Sequence, residues 1–408
     1  MSHKPTITDS LEFPSDSKIP KIAFGLGAAG LLTSLLAYVL GDNHDQFFFS
    51  YLVSFTFFTG IALSSLIMVM FHHITKSSWG TLVRRIPEVF ASNIWVWAIF
   101  FIPVLFGIHN LYHWSHPELV DPTNAAYDKI LGGKSSYLNV NFFIIRQVLY
   151  FLVWGFLGHK LYKASVDMDK TGDWGLTSLM RKISAPGILI FSLSIAFAGF
   201  DWLMSLDPHW FSTMFGVYFF AINFQAFWPV MILLVLFLQK MGLLKNTIKQ
   251  AHIYDLGAWF FAFTVFYAYI AFSQFMLIYY ANLPEETLWF YKRMEGGYEN
   301  ILYSLLILRF ALPFLVLLNR EAKHNKTILV LVSVLVLVMH YLEIYWIAMP
   351  TLHIEGSHGL HFSWINIATT VGLGGIFFGL FFNKFKKQSM VPKNDPTMDD
   401  CLSKSYHH

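Results

Sequence analysis

Cysteine is nearly absent from this 408-residue chain, and charge is scarce. The one cysteine, Cys401, lies in a polar tail. A single thiol excludes a disulfide framework, a four-cysteine iron–sulfur site and a CxxCH haem attachment within the chain. Charged residues make up 13% of the sequence, against about 25% in an ordinary soluble domain. Long polar stretches are missing too. The longest gap between apolar runs, 111–140, holds Pro117, Pro122, Gly132 and Gly133 and reads as a loop. With no soluble domain, redox or hydrolytic chemistry outside a membrane requires a partner chain. Residues 1–18 lack the apolar core of a signal peptide, so the first apolar run is expected to persist as a membrane helix.

What the chain has is apolar length. Hydrophobic residues make up 55% of it and aromatic residues 18%. Ten runs stand out: 22–40, 47–71, 88–110, 141–159, 184–205, 211–239, 253–280, 300–319, 327–348 and 362–383. At 1.5 Å per helical residue, each crosses a hydrocarbon core of about 30 Å. The expected fold is all-α, a polytopic membrane protein with ten transmembrane helices. Spans 2–5 and 6–9 form two four-helix bundles, and spans 1 and 10 flank them. A polar segment, 1–21, precedes the membrane domain at 22–383, and a charged tail, 384–408, is expected to be disordered.

Positive charge alternates from gap to gap. The ends and every second gap hold 22 Lys and Arg, while the other gaps hold 4. By the positive-inside rule both termini are expected to face the cytoplasm, as in a polytopic inner-membrane protein. The net charge of +3 therefore reports topology and anionic headgroups, not nucleic acid.

Ionisable groups at bilayer depth are costly, which makes each one a functional candidate. Arg146 lies in span 4 and Arg309 in span 8. His340 and Glu343 share one face of span 9, three residues apart. Asp201 closes span 5, Asp255 opens span 7, and Gln274 lies within span 7 beside Ser273. One reading makes these groups a proton path or a quinol contact, with Asp255 and Asp201 at its two mouths. The other makes them structural ion pairs, Arg309 with Glu343 or Arg146 with Asp201. A two-histidine haem has little support, because only His340 lies well inside a span. His72 and His73 read as interfacial. The aromatic stripe 260–269 reads as a lipid-facing or packing surface. Pro103, Pro186, Pro229 and Pro313 fall in or near spans and can kink them.

Two long segments are distinctive. FDWLMSLDPHWFSTMFGVY runs from Phe200 to Tyr218, and HIYDLGAWFFAFTVFYAYIAFSQFMLIYYANLPEE runs from His252 to Glu286. They resemble the F subunit of alternative complex III, in the membrane-subunit superfamily shared with polysulfide reductase and the NrfD proteins. The resemblance covers nearly the whole chain. It implies a subunit of a quinol-oxidising complex that passes electrons from menaquinol or ubiquinol to a cytochrome c or a terminal oxidase. It implies that haem and iron–sulfur clusters sit in partners: a multihaem cytochrome c subunit and an iron–sulfur subunit. It also implies a homologous ten-helix C subunit and small membrane subunits alongside. The chain itself is expected to bind no haem or metal, and to supply a proton path or quinone contact instead. The competing class is a stand-alone secondary transporter. Transporters often carry inverted repeats, whereas the two bundles expected here run parallel.

Overall fold

A computed structural model describes residues 9–41, 44–352 and 359–404. Among them, ten helices are long and apolar enough to cross a membrane. These are α1 (Ile19–Leu40), α2 (His44–Thr75), α3 (Arg85–Phe106), α4 (Val140–Thr171), α5 (Gly175–Leu206), α6 (Phe215–Lys240), α7 (Gln250–Tyr280), α8 (Tyr298–Leu318), α9 (Lys326–Thr351) and α10 (Trp364–Phe385). The chain is thus an all-α, multi-pass membrane protein. Parts of the terminal segments (1–8 and 405–408) and of the α9–α10 gap lie outside the described residues.

Each set of four helices closes on itself. α2 packs on α3, α3 on α4, α4 on α5, and α5 back on α2. α6 to α9 form a second ring in the same order. The rings join where α2 meets α6 and α9 and where α5 meets α6, and α2 and α6 are the most enclosed spans. α1 lies outside both rings, against α10. Glycine permits that approach: a Cβ at Gly30 would sit 2.5 Å from the Gly372 amide nitrogen, and one at Gly375 would sit 2.3 Å from that of Gly27. Close backbone contact replaces the hydrophobic drive that lipid cannot supply.

Two spans outrun their apolar cores. α4 extends past residue 159 to Thr171, and α5 begins at Gly175, well before 184. The extra turns carry charge, which suits the membrane surface better than the hydrocarbon. Gly172 ends α4 in the left-handed region (φ 70°), a conformation that costs a side chain dearly.

Both described chain ends lie on one face. Glu12 pairs with Ser389 in an isolated bridge, and the Met390 amide donates to the Leu11 carbonyl. This terminal face corrects one expectation. Composition points to a disordered tail, yet residues 386–404 pack against the helices. Met390, Val391, Met398, Cys401 and Leu402 are buried, and Asp395 pairs with Arg84 at 2.5 Å. A few apolar residues among many charges were enough to anchor the segment.

On the distal face the α5–α6 turn is clasped by the chain's own loops. Lys134 donates to the Pro208 carbonyl at 2.6 Å, and Lys292 pairs with Asp207 at 3.2 Å. Trp210 stacks on Trp289 with ring centroids 4.5 Å apart.

Candidate functional site: two buried arginine–carboxylate clusters

Each bundle holds one buried Arg–carboxylate pair in its distal half. In both, the arginine comes from the third helix of the ring and the acid from the fourth.

Cluster A joins α4 to α5. Arg146 grips Asp201 with two parallel bonds of 2.9 Å, the fork geometry that guanidinium and carboxylate share. Tyr137 and Tyr150 donate hydroxyls to the same carboxylate at 3.1 and 3.0 Å, and Gln147 donates its amide at 3.2 Å. Trp202 in turn fixes the Gln147 carbonyl at 2.7 Å. Asp201 is fully buried, and both its oxygens are engaged. Arg146 also lies over the Tyr137 ring, 3.9 Å from its centroid. Tyr137 lies outside the span; burial, then the Asp201 charge, raises its hydroxyl well above the ordinary tyrosine value.

Cluster B joins α6, α7, α8 and α9. Arg309 lies in a π-helical stretch, Leu305–Ala311. Pro313 follows four residues after Arg309 and cannot donate to its carbonyl, which loosens the turn there. Gln225 approaches that carbonyl at 3.5 Å and accepts from Arg309 Nε at 2.9 Å. The guanidinium also pairs with Glu343 and donates to the Ile222 carbonyl at 2.9 Å. Tyr218 and Tyr267 both donate to Glu343 Oε1, Tyr267 at 3.1 Å. Arg309 Nη2 meets His340 Nδ1 at 3.1 Å. Arginine only donates, so Nδ1 is the acceptor and the neutral ring carries its proton on Nε2. That Nε2 is buried with no hydrogen-bond partner among the described residues.

Cluster B also opens onto a cavity of about 740 Å³ between α7, α8 and α9. Its walls are aromatic and aliphatic. Its inner end holds Glu343, Tyr218, Tyr267 and Gln274, whose Oε1 is buried and unpartnered among the described residues. Its outer wall includes Tyr269 and Tyr303, which are 65% and 61% exposed on the membrane-facing sides of α7 and α8. An apolar cleft with a few convergent polar groups is the usual form of a small-molecule site.

Further buried polar atoms without partners among the described residues lie along the central helices. They include Thr56 Oγ1 and Ser64 Oγ on α2, Asn223 Oδ1 and Trp228 Nε1 on α6, and Ser333 Oγ on α9. Asn223 Oδ1 sits where only glycine fits opposite, because a Cβ at Gly60 would fall 1.7 Å from it. Internal water is the usual partner of such atoms.

The structure therefore brings His340, Glu343 and Arg309 into one cluster and sets Gln274 in the lining of the adjoining cavity. It brings Arg146 and Asp201 into another. Asp255 belongs to neither: it pairs with Lys404 of the tail at 2.5 Å on the terminal face. Tyr218, Tyr267 and Gln225 escaped the sequence reading. Tyr218 ends the first distinctive segment, and Tyr267 lies in the aromatic stripe read as a packing surface. His72 and His73, read as interfacial, are buried.

Against models of known protein families and against curated proteins, the chain finds no match. The class of the protein, all-α and multi-pass, rests on its own helices.

Proposed function

We propose that the chain is a bacterial inner-membrane subunit of a quinol-oxidising respiratory complex of the alternative complex III kind. In this reading the α7–α9 cavity receives the quinol and cluster B takes up its protons. The supporting observation is that the cavity runs from membrane-exposed aromatic residues to a buried carboxylate with two tyrosine hydroxyls on it. An isoprenoid tail suits the apolar wall, and a quinol hydroxyl can donate to Glu343.

Oxidation of a quinol to the quinone releases two electrons and two protons. Haem and iron–sulfur groups held by partner subunits would supply the oxidant that takes the two electrons. Glu343 accepts the two protons in turn, and Tyr218, His340 and the polar atoms on α2, α6 and α9 carry each of them onward through water. Arg309 holds the Glu343 carboxylate in place, and Gln225 and the Ile222 carbonyl hold Arg309. Cluster A ties α4 to α5 and takes no part in the transfer. Charge alternation supports an orientation with both termini in the cytoplasm.

A photoreactive quinone analogue tests this reading on the complex purified from native membranes through a tag on this chain. The expected result is haem absorbance travelling with the chain, and cross-links at Tyr303 or Phe272. Haem-free chain with no cross-link in the cavity would favour a stand-alone transporter.

A further inference from the structure

A second pocket lies on the terminal face, and the quinol reading does not use it. Its volume is about 280 Å³. The end of α2 supplies His72 and His73, and Lys76 follows it; α5 supplies Arg181; and the tail closes the pocket with Asp395.

Its lining is built for negative charge. Lys76, Arg84 and Arg181 stand against one carboxylate, Asp395. Asp395 is already neutralised. Burial alone would raise its carboxyl, but the Arg84 charge and Thr397 hydrogen bonds outweigh that and hold it at about 2. Behind the pocket, Glu88 pairs with Arg84 at 2.9 Å and Arg85 at 2.8 Å, and Asp169 pairs with Arg85. Among the described residues, no carboxylate pairs with Lys76 or Arg181, which leaves two cations at the mouth.

The interior gives a second, independent observation. His72 and His73 are 3% and 8% exposed, yet His72 Nδ1 and His73 Nε2 have no hydrogen-bond partner among the described residues. His73 can turn an Nε2 proton toward an anion, while the His72 ring also hydrogen-bonds the Ser77 backbone. Burying the remaining ring nitrogens without partners costs stability unless something occupies the site. Basic pockets between helices at a membrane surface suit lipid phosphates.

We propose that this pocket binds a phosphate-type oxyanion between α2, α5 and the tail, with Lys76 and Arg181 at its mouth and the two histidines beneath. The chemistry is shared by an anionic phospholipid headgroup and by free phosphate. Occupancy also tethers the tail, because Asp395 and Thr397 belong to the wall.

Thermal unfolding of the full-length chain in neutral detergent tests the proposal. The protein is titrated with phosphatidylglycerol, with phosphatidylcholine, and separately with sodium phosphate against chloride at matched ionic strength. Phosphatidylglycerol is expected to raise the midpoint while phosphatidylcholine does not. The double variant Lys76→Gln/Arg181→Gln should need roughly thirtyfold more ligand for the same rise, at about fivefold per charge removed. If that variant does not fold, Arg181→Gln alone should show the fivefold loss. A rise with the lipid alone identifies a headgroup; a rise with sodium phosphate as well identifies free phosphate. The proposal fails if neither ligand stabilises the protein, if phosphatidylcholine works as well, or if variant and wild type respond alike.

Discussion

Clusters A and B start from the same plan and end differently. Both set an arginine from a third helix against an acid from a fourth. In A, the acid receives a bidentate fork, two hydroxyls and an amide, all from the α4 side of one seam. In B, the donors come from three helices, the arginine sits in a π-helical stretch, and the acid lines a cavity. A buried ion pair is weak evidence of stability for its own sake, but breaking one is expensive. The lesson is that saturation separates a rivet from a working group. Asp201 has no oxygen left for a ligand, whereas Glu343 faces space.

The largest expected effect belongs to cluster A. Asp201→Asn leaves Arg146 opposite a neutral amide and turns an N–H toward tyrosine donors. Unfolding should cost about 3–5 kcal/mol less, read as a lowered midpoint and a lower assembled yield. An unchanged midpoint would mean that A is no rivet.

The two arginines sharpen the contrast. Lysine cannot reproduce the fork, so Arg146→Lys and Arg309→Lys should each destabilise by about 1.5–3 kcal/mol. Only Arg309→Lys should slow quinol oxidation per assembled complex. Equal turnover in the two variants would erase the distinction.

Single hydroxyls give a smaller effect. Tyr150→Phe and Tyr218→Phe should each cost about 1 kcal/mol of stability. Turnover should fall only for Tyr218→Phe, and a fall for Tyr150→Phe alone would reverse the assignment of roles.

The smallest signal is a pH dependence. The folded-state pKa of Tyr137 is raised. Its contribution to stability is therefore fully present below the ordinary tyrosine value near 10 and is lost as pH rises through the folded value. Ultraviolet absorbance of wild type minus Tyr137→Phe should show no tyrosinate from this residue up to about pH 10.

Much of this was legible in the sequence. Ten apolar runs became ten helices, and helical period placed His340 and Glu343 on one face. A short α8–α9 connection made Arg309 a natural partner for Glu343, and both arginine–acid pairings were among the readings the residues allowed. Periodicity says which side chains share a face but not which distant helix that face meets. Tyr218 lies 125 positions from Glu343, and Gln225 lies 84 from Arg309, so neither contact has a local signature. Asp255 shows the same limit from the other side. Its position at a span end suggested a mouth, while its partner, Lys404, came from a tail that composition marked as loose. The cavity is likewise a property of several packed helices rather than of any one motif.

The most direct test of the central claim is Glu343→Gln, which keeps the shape of the side chain and removes its titratable charge. Quinol oxidation and proton release are measured per assembled complex, with Asp201→Asn as the structural counterpart. The yield of assembled complex is expected to fall, because Arg309 loses its buried carboxylate, and the quinol oxidation rate per assembled complex to fall by about a hundredfold, the usual scale of a lost proton acceptor. Full turnover with unchanged proton release in the Glu343→Gln complex that does assemble would contradict this role and make cluster B a second rivet.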